Sequence, residues 1–116
     1  MSDIEDMQKK IVEFRDARNW KQFHNPKDLA ISLSLEASEF LEHFQWKSPD
    51  EIKEHIVTHK EDLSDELADV LYWVLLTSHD LDINLVEASA RKLQKNNEKY
   101  QVEKSINNHK KYTELK

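Results

Sequence analysis

The 116-residue chain contains no glycine and no cysteine, and only two prolines. Without glycine neither a GxGxxG fingerprint nor a P-loop can form, because both need a residue lacking Cβ where the backbone closes on a phosphate. Any phosphate must therefore be held by metal ions or by side chains. Without cysteine there is no disulfide, no zinc ribbon and no thiol nucleophile. Long hydrophobic runs are missing too: the longest, Val70–Leu76, falls far short of the ~20 residues that span a bilayer. The first six residues, MSDIED, are acidic where a targeting segment would be basic and apolar. We expect a cytoplasmic chain with no membrane partner.

What is present in quantity is charge, at 34% of residues, and it is unevenly spread. Residues 1–90 hold nine Lys/Arg against twenty Asp/Glu, and residues 91–116 hold eight against three. An acidic body is the wrong surface for a nucleic-acid polymer, whose binders cluster Lys and Arg against phosphates. An acidic body followed by a basic tail suits a small phosphate bridged by cations. The length implies one domain with a thin core, so we expect a core completed by other subunits.

The apolar spacing is helical rather than alternating, which predicts an all-α, four- to five-helix bundle. Ser2 with Glu5 forms a capping-box pattern, and Ile4, Met7, Ile11 and Phe14 recur on one face of a first helix reaching about Arg18. Asn25-Pro26 opens a second helix with an apolar stripe of Leu29, Leu33, Ala37, Phe40, Leu41 and Phe44, ending near Gln45. Ser48-Pro49-Asp50-Glu51 starts a third helix with a break between Thr58 and Glu61. A long helix to about His79 follows, driven by Leu63, Leu67, Val70, Leu71, Val74 and Leu75. The last helix starts at Asn84, with Glu87 in capping-box position and Leu85, Ala88 and Leu93 expected toward the core. This gives a helical catalytic stretch over 1–100 and a basic C-terminal tail over 101–116.

Two pairs of acids lie three residues apart inside apolar helices: Glu36 with Glu39, and Glu66 with Asp69. Side chains at that spacing share a helix face. If the two helices face each other, four carboxylates converge, which is strongly unfavourable unless cations occupy the space between them. An all-oxygen donor set suits Mg²⁺, with Mn²⁺ as a substitute, rather than zinc or copper. A ferritin-like di-iron centre would need Glu-x-x-His motifs, and no Glu here has His three residues later. His55 and His59, four apart, are the alternative pair for a zinc ion, and without HExxH they carry little weight.

Trp20 and Trp46 lie at helix ends, and Trp73 falls one turn after Asp69 on the carboxylate face. Rings around a charged cavity can sandwich a base, although a small domain also uses such rings as core. In the last helix Lys92, Asn96 and Tyr100 recur every four residues, with Lys95 and Lys99 beside them. A Lys there can hold a phosphate and Asn96 can bond a sugar hydroxyl; by themselves these residues make an ordinary polar face.

In order, Arg18-Asn-Trp-Lys-Gln-Phe-His24, Leu35-Glu-Ala-Ser-Glu-Phe-Leu-Glu-His-Phe-Gln-Trp46, Asp65-Glu-Leu-Ala-Asp69 and Lys92-x-x-x-Asn96-x-x-Lys-Tyr100 resemble the MazG-like all-α nucleotide pyrophosphohydrolases. The resemblance is nearest to the dCTP pyrophosphatase branch, runs from about Ile4 to Tyr100 and returns at 111–115. It implies Mg²⁺-dependent hydrolysis of a nucleoside triphosphate to monophosphate and pyrophosphate, in a homotetramer with sites between subunits. By the same resemblance Glu36, Glu39, Glu66 and Asp69 match the metal ligands; for the hydrolysis itself we expect Glu39 to orient or deprotonate the attacking water, with Glu36 as the second catalytic carboxylate. Trp20, His24, Trp46 and Trp73 match positions around the base, and Lys92, Asn96, Lys99 and Tyr100 positions near phosphates and sugar. Trp73 stands where that branch often has tyrosine, and Gln101 where the family commonly has proline. A pyrimidine, dCTP first, is the implied substrate. A non-hydrolysing nucleotide sensor or a helical adaptor protein is the alternative.

Overall fold

Four of the helices begin at the capping residues named above. In the computed structural model, which describes residues 2–106, the Ser2 side chain accepts from the Glu5 amide at the start of α1 (Asp3–Ala17). Asn25 accepts from Asp28 ahead of α2 (Pro26–Glu42), which carries its proline in the first turn, where an amide would have no helical partner. Ser48 and Glu51 bond each other's amides reciprocally before α3 (Pro49–Thr58). Asn84 accepts from Glu87 at the head of α5 (Leu85–Lys99). The fourth helix, α4 (Lys60–Asp80), starts directly after the break, where His59 leaves helical geometry and the Thr58 hydroxyl bonds the Glu54 carbonyl. A short 3-10 turn, Trp20–Phe23, follows α1, and Val102–Ser105 forms a four-residue helix, α6. No strand occurs among the described residues, and the fold is all-α.

Two connections require a left-handed backbone, normally the role of glycine. With none available, Asn19 (φ 55°) and Asp82 (φ 53°) supply it. Asn and Asp tolerate this region better than other side chains because their short polar groups bond locally.

Residues 2–82 form one compact unit and 83–106 another. In the first, α2 packs most extensively on α4, and α1 and α3 also lie against α4. Leu29, Leu63, Leu75 and Leu76 are the buried apolar residues. α1 is fastened to α4 by polar clamps as well. The Gln8 amide donates to the Leu75 carbonyl and the Ser78 hydroxyl, both at 2.9 Å. Arg15, fully buried, forks onto both oxygens of Asp80 at 2.6 and 3.0 Å. Burial alone would raise the Asp80 carboxyl, but the hydrogen bond and charge of Arg15 hold it below its ordinary value.

Several positions expected in the core lie outward instead. Leu41, Leu67, Leu71 and Leu93 are 56, 53, 40 and 62% exposed. For Leu41, Leu67 and Leu71 the reason is geometric: α2 and α4 are apolar around more of their circumference than one neighbouring helix can cover, so each keeps an uncovered stripe. In the second unit, α5 has Leu85 and Ala88 half-buried. No described helix is long and apolar enough to cross a membrane.

Candidate functional site

The packing of α2 on α4 brings the two acidic pairs toward each other. Glu36, Glu39 and Glu66 each offer an oxygen, and these oxygens lie within 4.8 Å of one another. One oxygen each of Glu36 and Glu66, Oε2, is buried with no hydrogen-bond partner. Buried polar atoms are almost always satisfied, so two orphaned carboxylate oxygens at one spot mark a place that lacks positive charge. The Glu36 carboxyl is held above the usual range, first by burial, then by its carboxyl contact with Glu39 and the charges of Glu39, Asp69 and Glu66. Glu66 is raised as well, by burial and then by Glu39, with His43 opposing.

The fourth acid, Asp69, lies outside this converging group and is exposed. One turn beyond Glu66, its charge helps to raise the carboxyls of Glu36 and Glu66. Oxygen-only donors with spare lone pairs, clustered at this spacing, fit a small hard cation such as Mg²⁺ or Mn²⁺.

Beside the carboxylates opens a cavity of about 380 Å³ whose wall includes Glu39, Glu66, Glu42, His43, Lys47 and His55. His43 faces Glu66, its Nε2 3.9 Å from Oε1, and its Nδ1 lies 2.8 Å from Nε2 of His55. The sequence reading missed His43, although it lies four residues after Glu39 and so on the same helix face. His55 and His59, the pair that could have shared a zinc ion, are instead stacked with ring centroids 4.1 Å apart and planes 12° apart. Parallel rings direct their in-plane lone pairs side by side, so they do not converge on one ion.

Of the aromatic positions, the structure brings His24 and Trp73 together edge to face, with centroids 5.4 Å apart. Both are half-buried, and His24 Nδ1 is a further buried atom without a partner. Burial, then the charge of Arg15, pushes the His24 imidazole below its ordinary value. Trp20 packs edge-on against Phe14, and Trp46, 86% exposed after the end of α2, stands in solvent. In the second unit Lys92, Asn96 and Lys99 lie on α5, and Tyr100 caps it, its amide bonded to the Asn96 carbonyl at 2.8 Å. Residues 111–115, where the family resemblance returns, lie outside the described residues.

Comparison with known proteins points the same way as this geometry. A family model described as the MazG-like family matches residues 31–115. The chain is 35% identical over 114 residues to dCTP pyrophosphatase 1 of Mus musculus, covering 97% of this chain and 67% of that one. For dCTP pyrophosphatase 1 of Homo sapiens the identity is 32%, with the same coverage. The crystal structure of a pyrophosphatase from Archaeoglobus fulgidus superposes with a TM-score of 0.81 at 41% identity, over 87% of this chain and 94% of that one.

Proposed function

The chain belongs to the MazG-like family, and from that premise we propose that it is a nucleoside triphosphate pyrophosphohydrolase, cleaving its substrate to monophosphate and pyrophosphate. One observation carries the reading furthest: three carboxylates converge on a point where two of their buried oxygens have no partner. A divalent cation there, Mg²⁺ first and Mn²⁺ as substitute, would neutralise phosphate charge and lower the pKa of a bound water. Glu36, Glu39 and Glu66 would hold it, with Asp69 completing the set.

In this scheme Glu39, the exposed member of the group, orients the attacking water and accepts its proton, while Glu36 supports it. The water oxygen bonds to the α-phosphorus as the bond to the bridging oxygen breaks, and pyrophosphate leaves with the bonding pair. Lys92 and Lys99 stabilise the charge that develops on the departing group, Asn96 and Tyr100 hold the sugar, and Trp20, His24, Trp46 and Trp73 enclose the base. The half-buried edge-to-face pair of His24 and Trp73 supports a base subsite, with His24 Nδ1 left to bond a ring substituent. The family relatives named for dCTP support a pyrimidine preference.

The same reading has residues 1–100 as the catalytic stretch and 101–116 as a basic tail, acting in the cytoplasm as nucleotide-pool housekeeping. It also has the chain working as a homotetramer, a dimer of dimers, which the uncovered stripe of Leu41, Leu67 and Leu71 supports.

Pyrophosphate release from each common dNTP and NTP, with and without Mg²⁺, tests this on the wild type and on Glu36→Ala and Asp69→Ala. We expect Mg²⁺-dependent release, fastest from dCTP and abolished in both variants. Release that persists in EDTA would overturn the metal reading, and no release from any nucleotide would leave a binding protein.

A further inference from the structure

We propose that His43, itself held by His55, is a positioning residue that fixes which oxygen Glu66 presents to the cation; this rests on the metal reading above. The three side chains come from three parts of the fold, His43 from the C-cap of α2, His55 from α3 and Glu66 from α4, and they form one line of contacts. His55 Nε2 lies 2.8 Å from His43 Nδ1, and His43 Nε2 lies 3.9 Å from Glu66 Oε1.

The chemistry of imidazole gives that line a direction. A nitrogen–nitrogen hydrogen bond needs one ring to donate and the other to accept. If His43 Nδ1 donated, a neutral His43 would turn the lone pair of Nε2 toward the Glu66 carboxylate. If His43 Nδ1 accepts, its N–H is at Nε2 and faces that carboxylate. The second arrangement is favourable at both contacts, so His55 donates to His43 and His43 presents its N–H to Glu66. At 3.9 Å that last contact is electrostatic rather than a hydrogen bond.

The consequence falls on Glu66. Its Oε1 is turned to His43, which leaves Oε2, buried and unpartnered, as the oxygen free for the cation. His55 is itself well supported. It stacks on His59, whose Nδ1 lies 2.7 Å from the Thr58 hydroxyl, at the end of a helix fixed by the Ser48–Glu51 capping box. Outer partners of this kind orient metal-ligating carboxylates, and removing one lowers metal affinity by about 10–100-fold where it has been measured.

Direct Mn²⁺ binding, read from the electron paramagnetic resonance signal of the free ion, tests the proposal without reference to turnover. For His43→Leu we expect about tenfold weaker binding or more, with unchanged far-ultraviolet circular dichroism. His43→Gln, which restores a donor near the Nε2 position, should recover most of the affinity. His55→Leu should weaken binding in the same direction by less. The concentration of Mg²⁺ that half-activates hydrolysis should rise in both leucine variants, with kcat at saturating Mg²⁺ largely retained. Wild-type affinity in either leucine variant, alongside loss of binding in Glu66→Gln, would overturn the positioning role and leave the metal site standing. A wild-type protein that takes up no Mn²⁺ would overturn both.

Discussion

One helix, α4, carries two half-buried carboxylates, Asp80 and Glu66, that differ in how their charge is met. Near its end Asp80 receives both arms of a fully buried guanidinium, and its carboxyl falls below the ordinary value. Near its start Glu66 meets Glu39 and Glu36, two of the group's oxygens go unpartnered, and its carboxyl rises. The same side-chain chemistry on the same element thus gives a structural tie at one end and an unfinished site at the other. What separates them is whether the chain itself supplies the counter-charge. That missing counter-charge is what the proposed cation would supply.

The largest effect that sharpens this contrast is on turnover. Replacing Glu39 by Gln should lower pyrophosphate release by about 10²–10⁴-fold, the range expected when a general base is removed, with the melting temperature unchanged or raised. A Glu39→Gln protein that hydrolyses at the wild-type rate would take Glu39 out of that role. At the other end of α4, Asp80→Asn should cost about 3 kcal/mol of stability, because it takes the two-armed carboxylate partner from a buried guanidinium and leaves it only Asp16 at 3.2 Å, while metal binding by the folded protein stays as in the wild type. Urea unfolding and Mn²⁺ titration together check this, and a shift in metal affinity would erase the division between the two ends.

The pH dependence of that loss has a definite sign. Asp80 titrates lower in the folded chain than its ordinary 3.8, so its contribution is fully present above the unfolded value and is lost as pH falls through the folded one. The gap in melting temperature between wild type and Asp80→Asn should therefore hold from pH 7 down to about 5 and narrow below about 4. A constant gap down to pH 2.5 would contradict the ion pair. The smallest effect has the opposite direction. Glu36→Gln should raise the melting temperature of the metal-free protein by a few degrees, since it removes a like charge from the cluster, and should abolish the further rise that Mn²⁺ gives the wild type. Lower stability in that variant without metal would show that the cluster is not strained.

How much of this the sequence discloses depends on how local the signal is. Ser2, Asn25, Ser48 and Asn84 act on residues three positions away, and all four cap the helices they were expected to cap. The shared faces of Glu36 with Glu39 and of Glu66 with Asp69 follow from helical pitch, although pitch says nothing of depth, and Asp69 is exposed. Arg15 and Asp80 are 65 residues apart, and no periodicity joins them. Arg15 is buried because α1 docks on α4, which no local pattern in the sequence announces. His43 lies between these cases. Its spacing from Glu39 is legible, but its partners come from α3 and α4 and are known only once the helices are packed.

The reversals at Asn19 and Asp82 bear on the other side of the folding equilibrium. A chain that turns without glycine has a stiffer unfolded state, since each residue that bears a Cβ has fewer conformations to lose. An average composition would place about eight glycines in this length. Their absence saves on the order of several kcal/mol of backbone entropy, at about 0.4–1 kcal/mol per compatible position. That saving is available to offset a small apolar core and a cluster of carboxylates that repel one another.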